Sequence, residues 1–335
     1  MKKILISMLA VAALVSCSKE ESIRVDQGEA IEFGNAFVDN ATRVANDPSY
    51  GANGVALTKF QVWGTVNGGN GLVSIFNGAN VTGTVGTDAN DNPNVWTCDV
   101  KQYWIKDAIY KFAALVNAPT TEGAITITNG LPTEVKGFVA DGKTDLLYAK
   151  NCGTNDEGIV GLASGNGPVN FTFDHLLSKV KFTVVNNSKA AEAYSFKVNG
   201  IIITGNSVGN VDLATKAWSN LGTPKTYSVA EISVDKNTAD AGEECAKELL
   251  LIPGDYTINF NVDIYNGTTK LGSQTYPVAG GSYAKTLAVG NAYNFVITVA
   301  VGEEIQFSVK EQPKWGNGNT HDSDNDNVND YIPLQ

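Results

Sequence analysis

Val169-Asn170-Phe171-Thr172-Phe173-Asp174-His175-Leu176-Leu177-Ser178-Lys179-Val180-Lys181-Phe182-Thr183-Val184 is the stretch whose reading decides the fold class. Apolar and polar residues alternate through Phe171 and Phe173, and again through Val180, Phe182 and Val184. A repeat of two belongs to a strand with one buried face, not to a helix. Between the two runs, at Leu176-Leu177, the phase flips. Such a flip turns the apolar side chains to the other face, so it predicts a bulge or bend there.

Working outward, similar short runs recur on both sides. Upstream they cover residues 57–66, 72–76, 95–97, 110–116, 124–128 and 145–149. Downstream they cover 194–204, 247–252, 256–265, 271–278 and 291–301. Glycine and asparagine turns separate them, as in Asn67-Gly68-Gly69-Asn70, and the chain holds 34 glycines. No long amphipathic helical run interrupts the series. Short strands at this spacing predict an all-β protein built of β-sandwiches. A length of 335 residues leaves room for two domains. The polar, Gly-rich span 151–167 marks the expected boundary, giving domains 44–165 and 166–310.

The first residues read as export, anchoring and release. Met1-Lys2-Lys3 is a basic start, residues 4–15 are an apolar run too short to span a bilayer, and Leu14-Val15-Ser16-Cys17 follows. That layout is a secretory signal over residues 1–16. Its ending resembles the lipobox of bacterial lipoproteins, which implies acylation of Cys17; the alternative is an ordinary signal with a chance cysteine. Ser18-Lys19-Glu20-Glu21 resembles the surface-export signal of Bacteroidetes lipoproteins, and is a solvated tether in either case. Ile31, Phe33 and Phe37 then share one face of a predicted strand. Arg43 follows, and Arg24 and Arg43 are the chain's two arginines, whereas lysines recur throughout. One cut by an Arg-specific protease would release the body at Val44 and discard residues 17–43. The Gly/Asn/Pro-rich connector over 44–56 is a segment such a protease could enter.

Charge and cysteines narrow the classes further. A net charge of -11 argues against nucleic acid as partner. With Cys17 acylated, Cys98, Cys152 and Cys245 remain, widely spaced. They fit small buried thiols better than a disulfide framework, although one pair could bridge. Of the two histidines, His175 falls in strand phase with Phe171 and Phe173, where a packed or hydrogen-bonded role is expected. No nucleophile elbow, zinc helix or Cys-x-x-Cys appears, so no enzyme is expected.

The lipobox, Arg43 behind an Ile-x-Phe strand, Phe60-Gln61-Val62-Trp63-Gly64, Asp145-Leu146-Leu147-Tyr148-Ala149 and Phe173-Asp174-His175-Leu176-Leu177-Ser178-Lys179-Val180 occur in that order. Together they resemble the fimbrillin (type V pilin) family of Bacteroidales, over nearly the whole chain. The resemblance implies two tandem Greek-key, transthyretin-like β-sandwiches and lipoprotein export to the outer membrane and cell surface. It also implies Arg-specific cleavage, and assembly with copies of itself or other fimbrial subunits by strand exchange. No cofactor is implied.

Two further segments bear on that expectation. Ile305-Gln306-Phe307 repeats the order of Ile31-Glu32-Phe33, and Ile305, Phe307 and Val309 share a face. Residues 304–310 are thus a candidate donor strand; the other reading makes them the last strand of their own domain. In the acidic tail 311–335, Asp322, Asp324, Asp326 and Asp330 occupy positions 1, 3, 5 and 9 of a loop, with the Val328 carbonyl at 7. That is Ca²⁺-ligand spacing, and it resembles the calcium repeats of thrombospondin type 3. Asn327 replaces the turn glycine and Pro333 the closing glutamate, and a solvated tail is the alternative. A rival of another class is a monomeric glycan-binding surface lipoprotein that stacks sugars on Trp63, Trp96, Trp104, Trp218 or Trp315. Tryptophans spread over both halves fit a core as well.

Overall fold

The computed structural model describes residues 28–38, 49–50, 55–85, 93–188, 194–235, 242–277 and 283–312. Cys17, Arg43, Val44, Trp315, His321 and the candidate Ca²⁺ ligands Asp322, Asp324, Asp326, Val328 and Asp330 lie outside them. The architecture is all-β with several sheets, as the alternation predicts. Among the described residues, no helix is long and apolar enough to cross a membrane.

An eight-stranded sheet runs in the order Phe33–Val38, Val169–His175, Leu147–Asn151, Ile109–Val116, Lys59–Asn67, Leu72–Val85, Pro93–Cys98, with Ile159–Val160 also pairing to Ile109–Val116. Its buried face carries Phe60, Phe76, Tyr110, Phe112, Phe171 and Phe173. Gly64 lies between two of these rings; a Cβ there would stand 2.8 Å from Phe76 and 2.9 Å from Phe112. Further along the chain, a five-stranded sheet centred on Ser178–Asn186 and Ala292–Val299 shares a core with a six-stranded sheet centred on Tyr194–Gly205 and Gly254–Asn266. Phe182, Phe295 and Phe307 from the former meet Phe196, Ile258 and Phe260 from the latter. Alternation of this kind buries one face of each sheet against the other.

A four-stranded sheet takes strands from both halves of the chain. Leu131–Val139 pairs antiparallel with Val208–Asp212, flanked by Ile125–Thr128 and Trp218–Ser219. Beneath it a third core gathers Trp63, Leu115, Phe138, Leu146, Leu176, Leu177, Leu213 and Ile252. Polar stitches reinforce the junction: Trp218 Nε1 donates to the Leu176 carbonyl at 2.8 Å, Leu250 N to Gly142 at 3.0 Å, and the Tyr227 hydroxyl to Ala140 at 3.2 Å. Burial pushes the Tyr227 hydroxyl up to about 12, which keeps it a donor over the ordinary pH range.

The opening stretch threads all three cores. Phe171 and Phe173 sit in the first, Leu176 and Leu177 in the third, and Val180, Phe182 and Val184 in the second. The phase flip is therefore neither bulge nor bend within one strand; it is the handover from the strand Val169–His175 to the strand Ser178–Asn186 in another sheet. Residues 169–175, assigned by sequence to the span 166–310, hydrogen-bond into the eight-stranded sheet instead. Composition marks a turn, but it does not mark which sheet the next strand joins.

Candidate functional site: the groove beneath the first strand

Residues 28–38 are laid into the edge of the eight-stranded sheet. On one side Phe33–Val38 runs parallel to Val169–His175, with Val169 N donating to Glu32 O at 2.7 Å. On the other side Ile31 N donates to Gln102 O at 2.8 Å, Trp104 N donates to Glu29 O at 2.9 Å, and Ala30 bridges Tyr103. The segment is held by two edges rather than lying on a surface.

Its anchor is Phe33, 5% exposed. The ring meets Phe60 at 6.1 Å, Phe76 at 5.5 Å and Phe112 at 6.5 Å, all edge-on or steeply inclined, and stacks on Phe171 at 6.2 Å. These are favourable aromatic separations and orientations. Ile31 is buried beside it. The ladder then breaks: register shifts between Phe33 and Ala36. Gly34 lies in the break, where a Cβ would collide with Asn170 and Pro168. Beyond it Ala36 and Val38 pack toward the core. Ile31 and Phe33 thus share the face expected of them; the shift changes the phase before Phe37, whose backbone stands opposite Thr172 and whose side chain is outside the described ones. An isolated glycine in an apolar run is the sequence signal for such a break.

Two donors beside this groove have no acceptor. The indole Nε1 groups of Trp96 and Trp104 are buried without a hydrogen-bond partner. Trp104 packs on Tyr110 at 4.7 Å, and Trp96 on Phe60 at 5.2 Å. Trp63 and Trp104 are buried, and Trp96 and Trp218 are half-buried, so the described tryptophans are packing residues rather than an exposed sugar platform.

The candidate donor strand lies elsewhere. Gln306–Gln312 pairs antiparallel with Ala292–Val299 in unbroken register, from Ala292↔Gln312 to Thr298↔Gln306. Ile305, Phe307 and Val309 are all buried. Phe307 stacks on Phe295 at 5.7 Å and meets Tyr283 edge-on at 4.6 Å. The segment is the last described strand of its own sheet, so it is not a loose arm. To act as a donor it would first have to leave this core, because the apolar pattern that suits a neighbour's groove equally suits its own sheet.

A buried carboxylate–imidazole hydrogen bond sits at the junction, where Asp145 Oδ2 is 2.6 Å from His175 Nδ1. Both side chains are sealed from solvent, and Asp145 Oδ1 has no hydrogen-bond partner. Sequence placed His175 in a packed or bonded role without finding its partner; the two meet because Leu147–Asn151 and Val169–His175 are neighbouring strands. Cys98, Cys152 and Cys245 are unpaired thiols, each pushed up from its usual range chiefly by burial. Among the described residues, no group of His, Cys, Asp or Glu side chains could hold a metal ion.

The result is an all-β body whose aromatic groove, at a sheet edge, is filled by the first described strand. Residues 42–313 match the family model described as fimbrillin-like, and the chain belongs to that family. Membership supports a structural, pilin-type role. No curated protein matches the chain. Among solved structures, a fimbrial protein from Bacteroides vulgatus aligns with a TM-score of 0.54 at 15% identity, covering 84% of this chain and 98% of that one. A candidate cell-adhesion protein from Bacteroides ovatus aligns with a TM-score of 0.50 at 14% identity, covering 86% and 98%. At these identities the likeness is one of fold.

Proposed function

We propose that this chain is a fimbrial subunit of the cell surface, exported as an outer-membrane lipoprotein through Cys17 and processed by an Arg-specific protease after Arg43. Cleavage makes Val44 the new N-terminus and separates the strand Phe33–Val38 from the body. A strand from a second copy, or from another fimbrial subunit, then fills the vacated groove. One observation carries this reading: the segment that precedes Arg43 in sequence is the one that plugs the aromatic groove.

The energetics support a one-way step. Removing Ile31, Phe33 and Val38 exposes apolar groove worth about 5–9 kcal/mol gross, at roughly 1.5–3 kcal/mol per large side chain. It also uncovers the edge of Val169–His175, and an open edge is a template for pairing. Because residues 304–310 are committed to their own sheet, the donor in this scheme comes from beyond Gln312, with 328–334 the next candidate.

Incubating the folded precursor with an Arg-specific protease and sizing the product tests the scheme. Cleaved chain should form polymers, and Arg43→Gln should stay monomeric. Cleaved chain that remains monomeric at high concentration would refute strand exchange. Cys17→Ala should abolish fatty-acid labelling and release soluble precursor; a labelled, membrane-bound variant would refute the anchor.

A further inference from the structure

Half of the large apolar side chains exposed among the described residues gather at one end of the eight-stranded sheet. Leu72, Val73, Ile105, Ile109, Val160 and Leu162 are each between 41% and 56% exposed. Register brings them together. Leu72 stands opposite Asn67, Asn67 opposite Ile109, and Ile109 opposite Val160, while Val73 follows Leu72 in its strand. Gly161 donates to Ala108 O and accepts from Asp107 N, at 2.8 Å each, which holds the segments of Ile105 and Leu162 together. The hairpin tip before Leu72 stands clear of the body: a Cβ at Gly68, Gly69 or Gly71 would meet nothing within 4 Å. Apolar side chains concentrated in this way mark a docking surface for a protein or a membrane.

The path of the chain favours a membrane. Residues 28–30 lie at the same end: Trp104 N, next to Ile105, donates to Glu29 O, and Gly165 abuts the Glu29 side chain. From there the first strand runs away from the patch, to Val38 opposite Phe173. Gly28 therefore joins the body beside the patch, 11 residues after Cys17. A tether of that length reaches about 40 Å when fully extended, at roughly 3.3–3.6 Å per residue. Acylation of Cys17 holds this end of the body within that distance of the bilayer, and so short a tether makes even weak docking effectively intramolecular. We propose that the patch rests on the lipid surface while the precursor is anchored, a proposal that rests on the Cys17 reading above. Lys106 and Asp107, both exposed, interrupt the patch, so the contact is with the headgroup interface and not the hydrocarbon core. Removal of residues 17–43 cuts the tether and frees the patch.

The test takes the lipidated precursor in vesicles of phosphatidylethanolamine and phosphatidylglycerol. Flotation reports anchoring, and amide hydrogen exchange reports docking. The reference is the lipidated triple variant Leu72→Glu, Ile109→Glu, Val160→Glu, whose three positions are exposed, so thermal unfolding should be unchanged. Both forms should float. Exchange over residues 105–108 and 161–165 should be at least about threefold slower in the native chain than in the variant. If the triple variant unfolds, Leu72→Glu alone, beside the free hairpin tip, gives the same comparison. Equal exchange in two forms that both float overturns the docking and leaves the anchor standing. Failure of the native chain to float overturns the anchor and the docking together. Protection that fades as protein is diluted within the vesicles assigns the patch to a second copy of the chain and also overturns the proposal.

Discussion

The first and last described strands carry the same Ile-x-Phe signature and are held in opposite ways. Phe33–Val38 pairs parallel to its neighbour, breaks register after Phe33 and sits beside two indoles without acceptors. Gln306–Gln312 pairs antiparallel through an unbroken ladder. Its end is clamped by Glu311, which accepts from Tyr293 and Asn291 at 2.9 Å each and pairs with Lys285 at 3.4 Å. Both bury their aromatic anchor to the same 5%. Apolar burial therefore does not distinguish the two strands; ladder continuity and polar satisfaction do.

Phe307→Asp should break the comparison most sharply. It places a carboxylate among Phe295, Tyr283, Tyr276 and Phe260, and should cost about 5 kcal/mol, unfolding the surrounding sheets in mild urea. A folded Phe307→Asp monomer would show that the last strand is as dispensable as the first. His175→Leu tests the joint between the two regions. It leaves Asp145 buried without its partner, at about 3–5 kcal/mol in chemical unfolding. Phe33→Ala should cost about 3 kcal/mol, felt locally. Amide exchange should accelerate over residues 31–38 and 169–173 while Gln306–Gln312 remains protected; uniform acceleration would mean that the strands are coupled.

The smallest effect concerns pH. Burial alone would raise the Glu311 carboxyl, but hydrogen bonds from Asn291 and Tyr293 and the Lys285 charge outweigh it, and the net shift is downward. A carboxyl lowered on folding adds stability above its unfolded value and loses it as pH falls through the folded one. Below about pH 4, then, the last strand should loosen by roughly 1 kcal/mol or less, since the group is partly exposed and screened. Glu311→Gln should flatten that acid limb. An unchanged limb would assign it to other lowered carboxyls. These are Asp263, held low first by the Lys270 contact and then by Ser273; Asp141, where burial is outweighed by hydrogen bonds from Thr144; and Asp212, held low by hydrogen bonds from Thr215.

Much of this was legible from residue order. Alternation at Phe171/Phe173 and Val180/Phe182/Val184 announced strands, because period-two burial leaves a direct imprint. Pairing left no such imprint. Nothing local in Leu131–Val139 says that it will join Val208–Asp212. The flip at Leu176-Leu177 was visible, but its meaning depends on a third core assembled from distant segments. In the groove, Ile31 and Phe33 were readable from spacing, whereas Phe60, Phe76 and Phe112 become its walls only once three strands are side by side. The Asp145 partner of His175 was hidden for the same reason. Matching Ile-x-Phe patterns at 31–33 and 305–307 showed shared chemistry, and were silent on which strand was already satisfied.

The sheet that joins Leu131–Val139 to Val208–Asp212 has a mechanical consequence. The ladder shifts register between Gly209 and Val211, but it and a common core brace the junction on both sides of that shift. In the assembly proposed above, such units would act as stiff rods, with a persistence length set by the seams between neighbours. Flow or traction on a surface fibre would then be absorbed at the exchanged strands, while each body keeps its shape.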